Sequence, residues 1–427
     1  MDLVSVAVVA GGLLAFSMVS GRFQGIAVTP PMIFIAFGFL IGSGGLGLAE
    51  VDPGHGAIHI IAELTLILVL FTDAARIDLQ GLVRDHNLPV RMLLIGLSLT
   101  VLAGTLVATQ LFPQFTLWEA ALLAALLAPT DAALGQSVIS SREVPVRIRQ
   151  TLNVESGLND GIALPAVLLC AAFASLHQEA SGAGQWVQFA FFQVTLGPLV
   201  GVGAGYLGGR LLDTAGERGW ASEPFLGIGI LSLAMLSFVL AELVGGNGFI
   251  AAFVTGMVFG NTIKNQCVFL FEFMETEGQL LMLITFMIFG AALVPEALAH
   301  LNLMTIVYAV LSLTVIRMAP IVISLLGSGV SLPTQLFLGW FGPRGLASIL
   351  FVLLILEEAD VPHHQELLTI TVATVVLSAL LHGVTAAPLA RAYGSLAARM
   401  GECAENRPVT AIPLREGHVP HDLPKDA

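Results

Sequence analysis

Charge is what this sequence has least of. Only 11% of its 427 residues are Asp, Glu, Lys or Arg, while 56% are hydrophobic. Water-soluble domains carry about 25% charged residues, so a soluble fold is excluded. Cysteine is scarce as well. Cys170 and Cys267 lie in or near apolar runs and Cys403 lies in a polar tail, which makes neither a disulfide framework nor a zinc spacing. The basic residues are too few and too scattered for a nucleic-acid surface, so the net charge of −13 points to no partner. The N-terminus lacks a basic leader, and Asp2 is its first charge. The first apolar run is therefore expected to be a retained span and not a cleaved signal. The alternating ten-residue segments of a membrane barrel are missing. So are the Gly-x-Gly-Asp and His-Glu-x-x-His motifs of intramembrane proteases, and an enzyme is not expected.

What remains is a succession of long apolar runs, each near the length of about 20 residues that a helix needs to cross a bilayer. They predict thirteen spans, at about 3–20, 31–48, 57–77, 88–112, 117–139, 147–177, 186–212, 222–243, 247–262, 278–295, 303–327, 334–357 and 365–392. The placement of basic residues tests this count, because cytoplasmic loops are enriched in Lys and Arg. Arg22, Arg76, Arg84, Arg91, Arg142, Arg147, Arg149, Arg210, Arg218, Lys264, Arg391 and Arg399 all fall on one side, with Arg407, Arg415 and Lys425 beyond the last span. The other side carries Glu50, Asp52, Glu296, Glu357, Glu358 and Asp360. The expected orientation is N-terminus outside and C-terminus cytoplasmic, in a bacterial inner membrane. A transporter domain over 1–396 is expected to be followed by a short, poorly ordered cytoplasmic tail over 397–427. His363 and His364 read as part of a solvated outer loop.

Only two of the seventeen basic residues, Arg317 and Arg344, break the pattern by lying inside apolar spans. Charges at membrane depth are rare, paired and functional. The acids at matching depth are Asp131 in span 5 and Glu155 and Asp160 in span 6. Three acids against two arginines leave one acid to be balanced by a cation. The same region holds two helix breaks. Span 5 contains Ala128-Pro129-Thr130-Asp131, and span 12 contains Gly342-Pro343-Arg344-Gly345. Proline withdraws a donor and frees a carbonyl one turn earlier, which a membrane tolerates where the break lines a cavity. The two prolines stand seven spans apart. An odd offset makes the helices run in opposite directions, as in an inverted-topology repeat. Asp131 and Arg344 are expected to interact, and reversing both charges is expected to restore what either reversal loses. The fold class is thus an all-α membrane protein of thirteen transmembrane helices, with inverted-topology repeats and crossed, broken helices in spans 5 and 12.

In span 6, Glu155 and Asn159 are four residues apart and share one helix face. Ser156 and Asp160 form the adjacent strip. One strip can support while the other binds. A carboxylate, a hydroxyl and a carbonyl freed by the break suit a hard cation such as sodium. Loss of hydration disfavours a bare carboxylate, so a cation and a proton compete for Asp160.

The segment Asn153-Val154-Glu155-Ser156-Gly157-Leu158-Asn159-Asp160-Gly161, with Pro129-Thr130-Asp131 before it and Gly342-Pro343-Arg344-Gly345 after it, closely resembles NhaP-type sodium/proton antiporters and the related animal exchangers. Phe71-Thr72-Asp73 and Phe286-Met287-Ile288-Phe289-Gly290 fit the same family more loosely, and the likeness extends from about residue 30 to 395. The resemblance implies a core domain, about 88–177 and 303–394, a dimerisation domain from the remaining spans, and a homodimer. It implies that Asp160 alternately binds the cation or the proton, with the Thr130 carbonyl, Asp131 and the Ser156 hydroxyl completing the site. It implies that Glu155 pairs with Arg317 and holds Asn159, and that Arg344 balances charge. The Asn159-Asp160 pair implies electroneutral exchange of Na+ or Li+ for H+, without a cofactor. Potassium/proton exchange is the alternative, because the same ligands serve both ions. An organic solute would need a larger polar pocket, and a channel fits poorly with buried ion pairs.

Overall fold

The computed structural model describes residues 3–23, 28–48, 56–77, 79, 87–132, 134–175, 183–263, 268–358, 361–400 and 403–406. Arg84, Lys264 and the basic residues from 407 onward lie outside these. Among the described residues every regular element is a helix. In chain order they are α1 (Leu3–Val19), α2 (Pro30–Ile41), α3 (Gly56–Ala75), α4 (Asn87–Leu111, with a π turn at Met92–Gly96), α5 (Leu117–Leu126), α6 (Gln136–Ile139) and α7 (Val146–Ser175). There follow α8 (Ala183–Glu217), α9 (Glu223–Leu243), α10 (Gly248–Thr262), α11 (Val268–Ile288, prolonged through a π turn at Phe289–Leu293), α12 (Leu303–Ser324, interrupted at Thr314), α13 (Leu332–Trp340), α14 (Leu346–Glu358) and α15 (His364–Arg399). Eight helical segments among the described residues are long and apolar enough to cross a membrane, and three shorter apolar helices accompany them. The chain is a multi-pass membrane protein.

Its surface and interior are inverted relative to a soluble protein. Leu199, Leu207, Leu211, Phe225 and Leu243 are exposed, while Glu155, Asn159, Arg317 and Arg344 are fully buried. Apolar side chains meet lipid and polar ones meet each other. Without a hydrophobic drive between helices, close approach is set by small residues. Gly197, Gly201 and Gly205 show this on α8. A methyl group at any of them would come within 2.7–2.8 Å of the carbonyls of Asn247, Ala251 or Thr255 on α10. The glycine-rich strip of this helix therefore packs through every fourth residue, whereas Gly203 faces open space.

Local signals fix where the half-helices start and stop. Thr116 and Glu119 form a reciprocal capping box at the start of α5. Glu119 also receives His363 at the head of α15, with Nδ1 2.7 Å from its Oε1. His363 is thus tied to the helix bundle and does not belong to a freely solvated loop. The apolar run of α5 ends at Leu126, and helix resumes only at Gln136. Likewise α13 ends at Trp340, and α14 begins after five residues, at Leu346.

Of the residues assigned to the tail, 397–400 and 403–406 are described. Helix α15 runs on to Arg399, and Cys403–Asn406 fold back onto the bundle. Glu405 is 2% exposed and accepts hydrogen bonds from the Ser331 amide at 2.7 Å and the Thr334 hydroxyl at 2.9 Å. Arg147 of α7 donates to the Ala404 carbonyl. Burial alone would raise the Glu405 carboxyl, but its hydrogen bonds outweigh this and hold it at about 2. The depressed value makes the contact stabilising above the ordinary carboxylate range and lost only as pH falls toward 2. An anion thus sits at the N-terminus of α13, where the helix dipole favours one. A single buried acid in a stretch without apolar periodicity leaves no mark that sequence reading could find.

Candidate cation and proton site

Helix α7 supplies two strips. On the supporting strip Glu155 Oε1 lies 2.9 Å from Arg317 Nη2 of α12, with both side chains 1% exposed. The Thr130 hydroxyl donates to Glu155 Oε2 at 3.1 Å. Since its proton is committed there, Thr130 Oγ1 accepts from Asn159 Nδ2, and from the Ser156 hydroxyl at 3.1 Å. Asn159 also donates to Glu155 Oε1 at 3.4 Å. The network leaves the Ser156 lone pairs free to face outward. It also assigns Arg317 to Glu155, so neither acts as a free charge.

The two breaks meet and serve each other. The Asp131 amide donates to the Pro343 carbonyl at 2.8 Å. Asp131 Oδ2 accepts from the Leu346 amide at 2.8 Å, at the N-terminus of α14. Arg344 Nη1 donates to the Ala128 carbonyl at 2.6 Å and the Pro129 carbonyl at 3.2 Å, beyond the end of α5. Ser348 Oγ donates to the Leu126 carbonyl at 2.7 Å. The carbonyls that a helix end leaves without partners are thereby satisfied by Arg344 and Ser348, and a donor of α14 is satisfied by Asp131. Each charge sits at the dipole end that favours it. Gly345 is required here because a methyl group would collide with the Asp131 carboxylate, and Gly342 because its methyl would meet the Arg317 guanidinium.

Asp131 and Arg344 both lie where the two non-helical stretches meet. Each group serves the other segment's backbone, so position matters and not charge balance alone. Reversing both charges puts a carboxylate against two carbonyls and a cation at a helix N-terminus. The double reversal Asp131→Arg/Arg344→Asp is expected to remain inactive, which transport assays of the two single variants and the double variant will check.

A cavity of about 50 Å³ opens beside this crossing, with Asp131, Ala132, Ser156, Asp160, Leu346, Asp73 and Arg76 on its wall. That volume holds a few water molecules or a partly hydrated ion. Asp160 is 8% exposed, and its Oδ1 accepts no hydrogen bond from the described residues. Asp131, Ser156 and Asp160 are therefore brought together on one wall. The Thr130 side chain is turned into the supporting network and is absent from that wall. Arg317 and Arg344 lie behind it. Sequence reading assigns no role to Asp73 or Arg76, although the Phe71-Thr72-Asp73 motif is visible in it. Their contribution depends on how α3 approaches α7, a tertiary fact.

The site lies in an all-helical, multi-pass membrane protein, where two non-helical stretches meet beside a buried carboxylate. Residues 9–392 match the family described as sodium/hydrogen exchanger, transmembrane, and the chain belongs to that family. It is 25% identical over 370 residues to a K(+)/H(+) antiporter NhaP of Alkalimonas amylolytica, covering 84% of this chain and 62% of that protein. It is 24% identical over 362 residues to a K(+)/H(+) antiporter NhaP2 of Shewanella oneidensis, with the same coverages. The chain thus spans less than two thirds of the length of these relatives. The structure superposes on the sodium proton antiporter MjNhaP1 from Methanocaldococcus jannaschii with a TM-score of 0.73, at 18% identity, covering 91% of this chain and 100% of that one. The likeness establishes a shared fold.

Proposed function

We propose that this chain is an electroneutral antiporter that exchanges one sodium or lithium ion for one proton by alternating access, with the two competing for Asp160. The observation that carries this reading is a buried carboxylate on a small polar cavity, unpaired at Oδ1 among the described residues, beside a hydroxyl that donates to Thr130 and keeps its lone pairs for the cavity. Asp160 and Ser156 hold the cation directly. The Thr130 carbonyl, in the unwound stretch, supplies a further oxygen, and Asp131 reaches the ion through water. Such all-oxygen sets suit hard cations. Without an ion the Asp160 carboxylate is uncompensated and takes a proton instead. One site holding one proton or one cation moves no net charge per cycle. Glu155, paired with the Arg317 guanidinium, supports the site and is not a transport group.

In this reading the chain crosses a bacterial inner membrane thirteen times, as two inverted repeats with the N-terminus outside. Spans 5 and 12 are the broken pair. The core, about 88–177 and 303–394, moves against a scaffold that forms a homodimer. The support is that α5 with α6, and α13 with α14, meet break to break. The second reading, potassium/proton exchange, is favoured by the activity for which the two bacterial relatives are named. Vesicles loaded with acid and a pH-sensitive dye separate these. Dequenching on addition of Na+ or Li+ but not K+ supports sodium exchange. A response to K+ alone assigns potassium, and no response to any of the three overturns the function.

A further inference from the structure

The break in span 12 has backbone groups that a continuous helix would join to each other. In an uninterrupted helix the Arg344 amide would donate to the Trp340 carbonyl, four residues back. Pro343 prevents simple rewinding. The Arg344 amide donates instead to Ser378 Oγ at 2.7 Å, and the Trp340 carbonyl receives His382 Nε2 at 2.9 Å as well as the Gly342 amide at 2.8 Å. Ser378 and His382 stand one turn apart on α15, with Ser378 Oγ 3.2 Å from His382 Nδ1. Both are buried.

A carbonyl only accepts, and carbonyls face both ring nitrogens: that of Trp340 at Nε2 and that of Ser378 itself at Nδ1, each at 2.9 Å. The Ser378 hydroxyl oxygen, 3.2 Å from Nδ1, accepts from the Arg344 amide. The two sides of the break are thus met from one turn of α15: Ser378 receives the Arg344 N–H, and the His382 ring stands against the Trp340 C=O. Two side chains from a different helix replace one missing helical hydrogen bond. Thr385, one turn further along α15, fixes the same residue from outside by accepting from Trp340 Nε1 at 3.0 Å.

We propose that Ser378 and His382 are positioning residues for cation binding, splinting the break so that Arg344 stays on the Ala128 and Pro129 carbonyls. Pro129 directly precedes Thr130, so a displaced guanidinium loosens the peptide that carries the proposed carbonyl ligand. Asp160 lies on α7, away from the splint, and its proton affinity is untouched. The proposal rests on the exchange function, and it predicts a specific split. If half-saturation is a competition, weaker cation binding multiplies the half-saturating cation concentration by one factor at every pH. The pH at which that concentration begins to climb stays where it was. A merely destabilised protein would instead lower the maximal rate and leave both unchanged.

The test uses four variants of the full chain. His382→Leu removes the ring nitrogens. His382→Asn keeps polarity but does not reach the Nε2 position. Ser378→Ala removes the link to Arg344, and His382→Gln places an amide N–H where Nε2 stood. Two measurements are made: hydrogen exchange of residues 341–346, and the cation concentration for half-maximal exchange across pH. Leu, Asn and Ala variants are expected to speed exchange in 341–346 and to raise half-saturation about tenfold, the effect of one buried hydrogen bond. The Gln variant is expected to fall within about twofold of wild type by restoring that bond. Unchanged hydrogen exchange in the Leu, Asn and Ala variants overturns the proposal, and so does a lower maximal rate with unchanged half-saturation. If the wild-type chain moves no cation, the function falls, and hydrogen exchange alone still decides whether the splint exists.

Discussion

The Asp160→Asn variant is expected to lose all measurable cation/proton exchange while folding as the wild type does. The amide is nearly the same size and cannot take up or release a proton in the accessible range. It also offers a cation one neutral oxygen in place of a carboxylate. Both halves of the competition disappear together. Folding should survive because Asp160 Oδ1 has no partner to lose among the described residues, and removing a buried, uncompensated charge relieves desolvation. A thermal midpoint in detergent at or above that of wild type, with flat dye traces in vesicles, is the expected pair of results. An Asn variant that still exchanges would remove Asp160 from the mechanism.

Arg317→Met is expected to have the opposite profile, with a large loss of stability. Its guanidinium pairs with Glu155 in a setting where both side chains are 1% exposed. Removing one member of such a pair leaves a buried charge without compensation, and the penalty is about 3–5 kcal/mol. Glu155 also anchors Thr130 and Asn159, so the disturbance reaches the first break. The double variant Arg317→Met/Glu155→Gln removes the stranded charge. It is expected to recover most of the stability without recovering wild-type transport, because Thr130 and Asn159 are no longer held in the same way. Denaturation midpoints of the two single variants and the double variant give the coupling directly. Additive losses would mean that the pair does not act as a unit.

The parts of this protein legible in its sequence are those encoded by local spacing. Glu155, Ser156, Asn159 and Asp160 fall at helical intervals, so the two strips on α7 can be read from their spacing alone. Pro129 and Pro343 announce the breaks because proline acts on its own backbone. What the breaks do to each other is not legible. Asp131 reaches the Leu346 amide and Arg344 reaches the Ala128 carbonyl only because the two unwound stretches cross, and sequence distance does not encode a crossing. Each of the two side chains is set against the opposite backbone. Ser378 and His382 are silent for the same reason. On a long apolar helix they look like isolated polar residues until Trp340 and Arg344 are set against them. Glu405 is hidden differently, in a polar segment where burial of one acid has no periodic signature.

The central claim is that one carboxylate carries either one cation or one proton, so that a full cycle moves no charge. Voltage tests it most directly, since each net charge moved would couple about 2.3 kcal/mol per 100 mV to the cycle. Sodium-driven proton movement should be measured in vesicles with the potential set to zero by potassium and valinomycin, and again with a large imposed potential. The account predicts the same rate and the same final pH gradient in both. A gradient that grows or collapses with the imposed potential would contradict it.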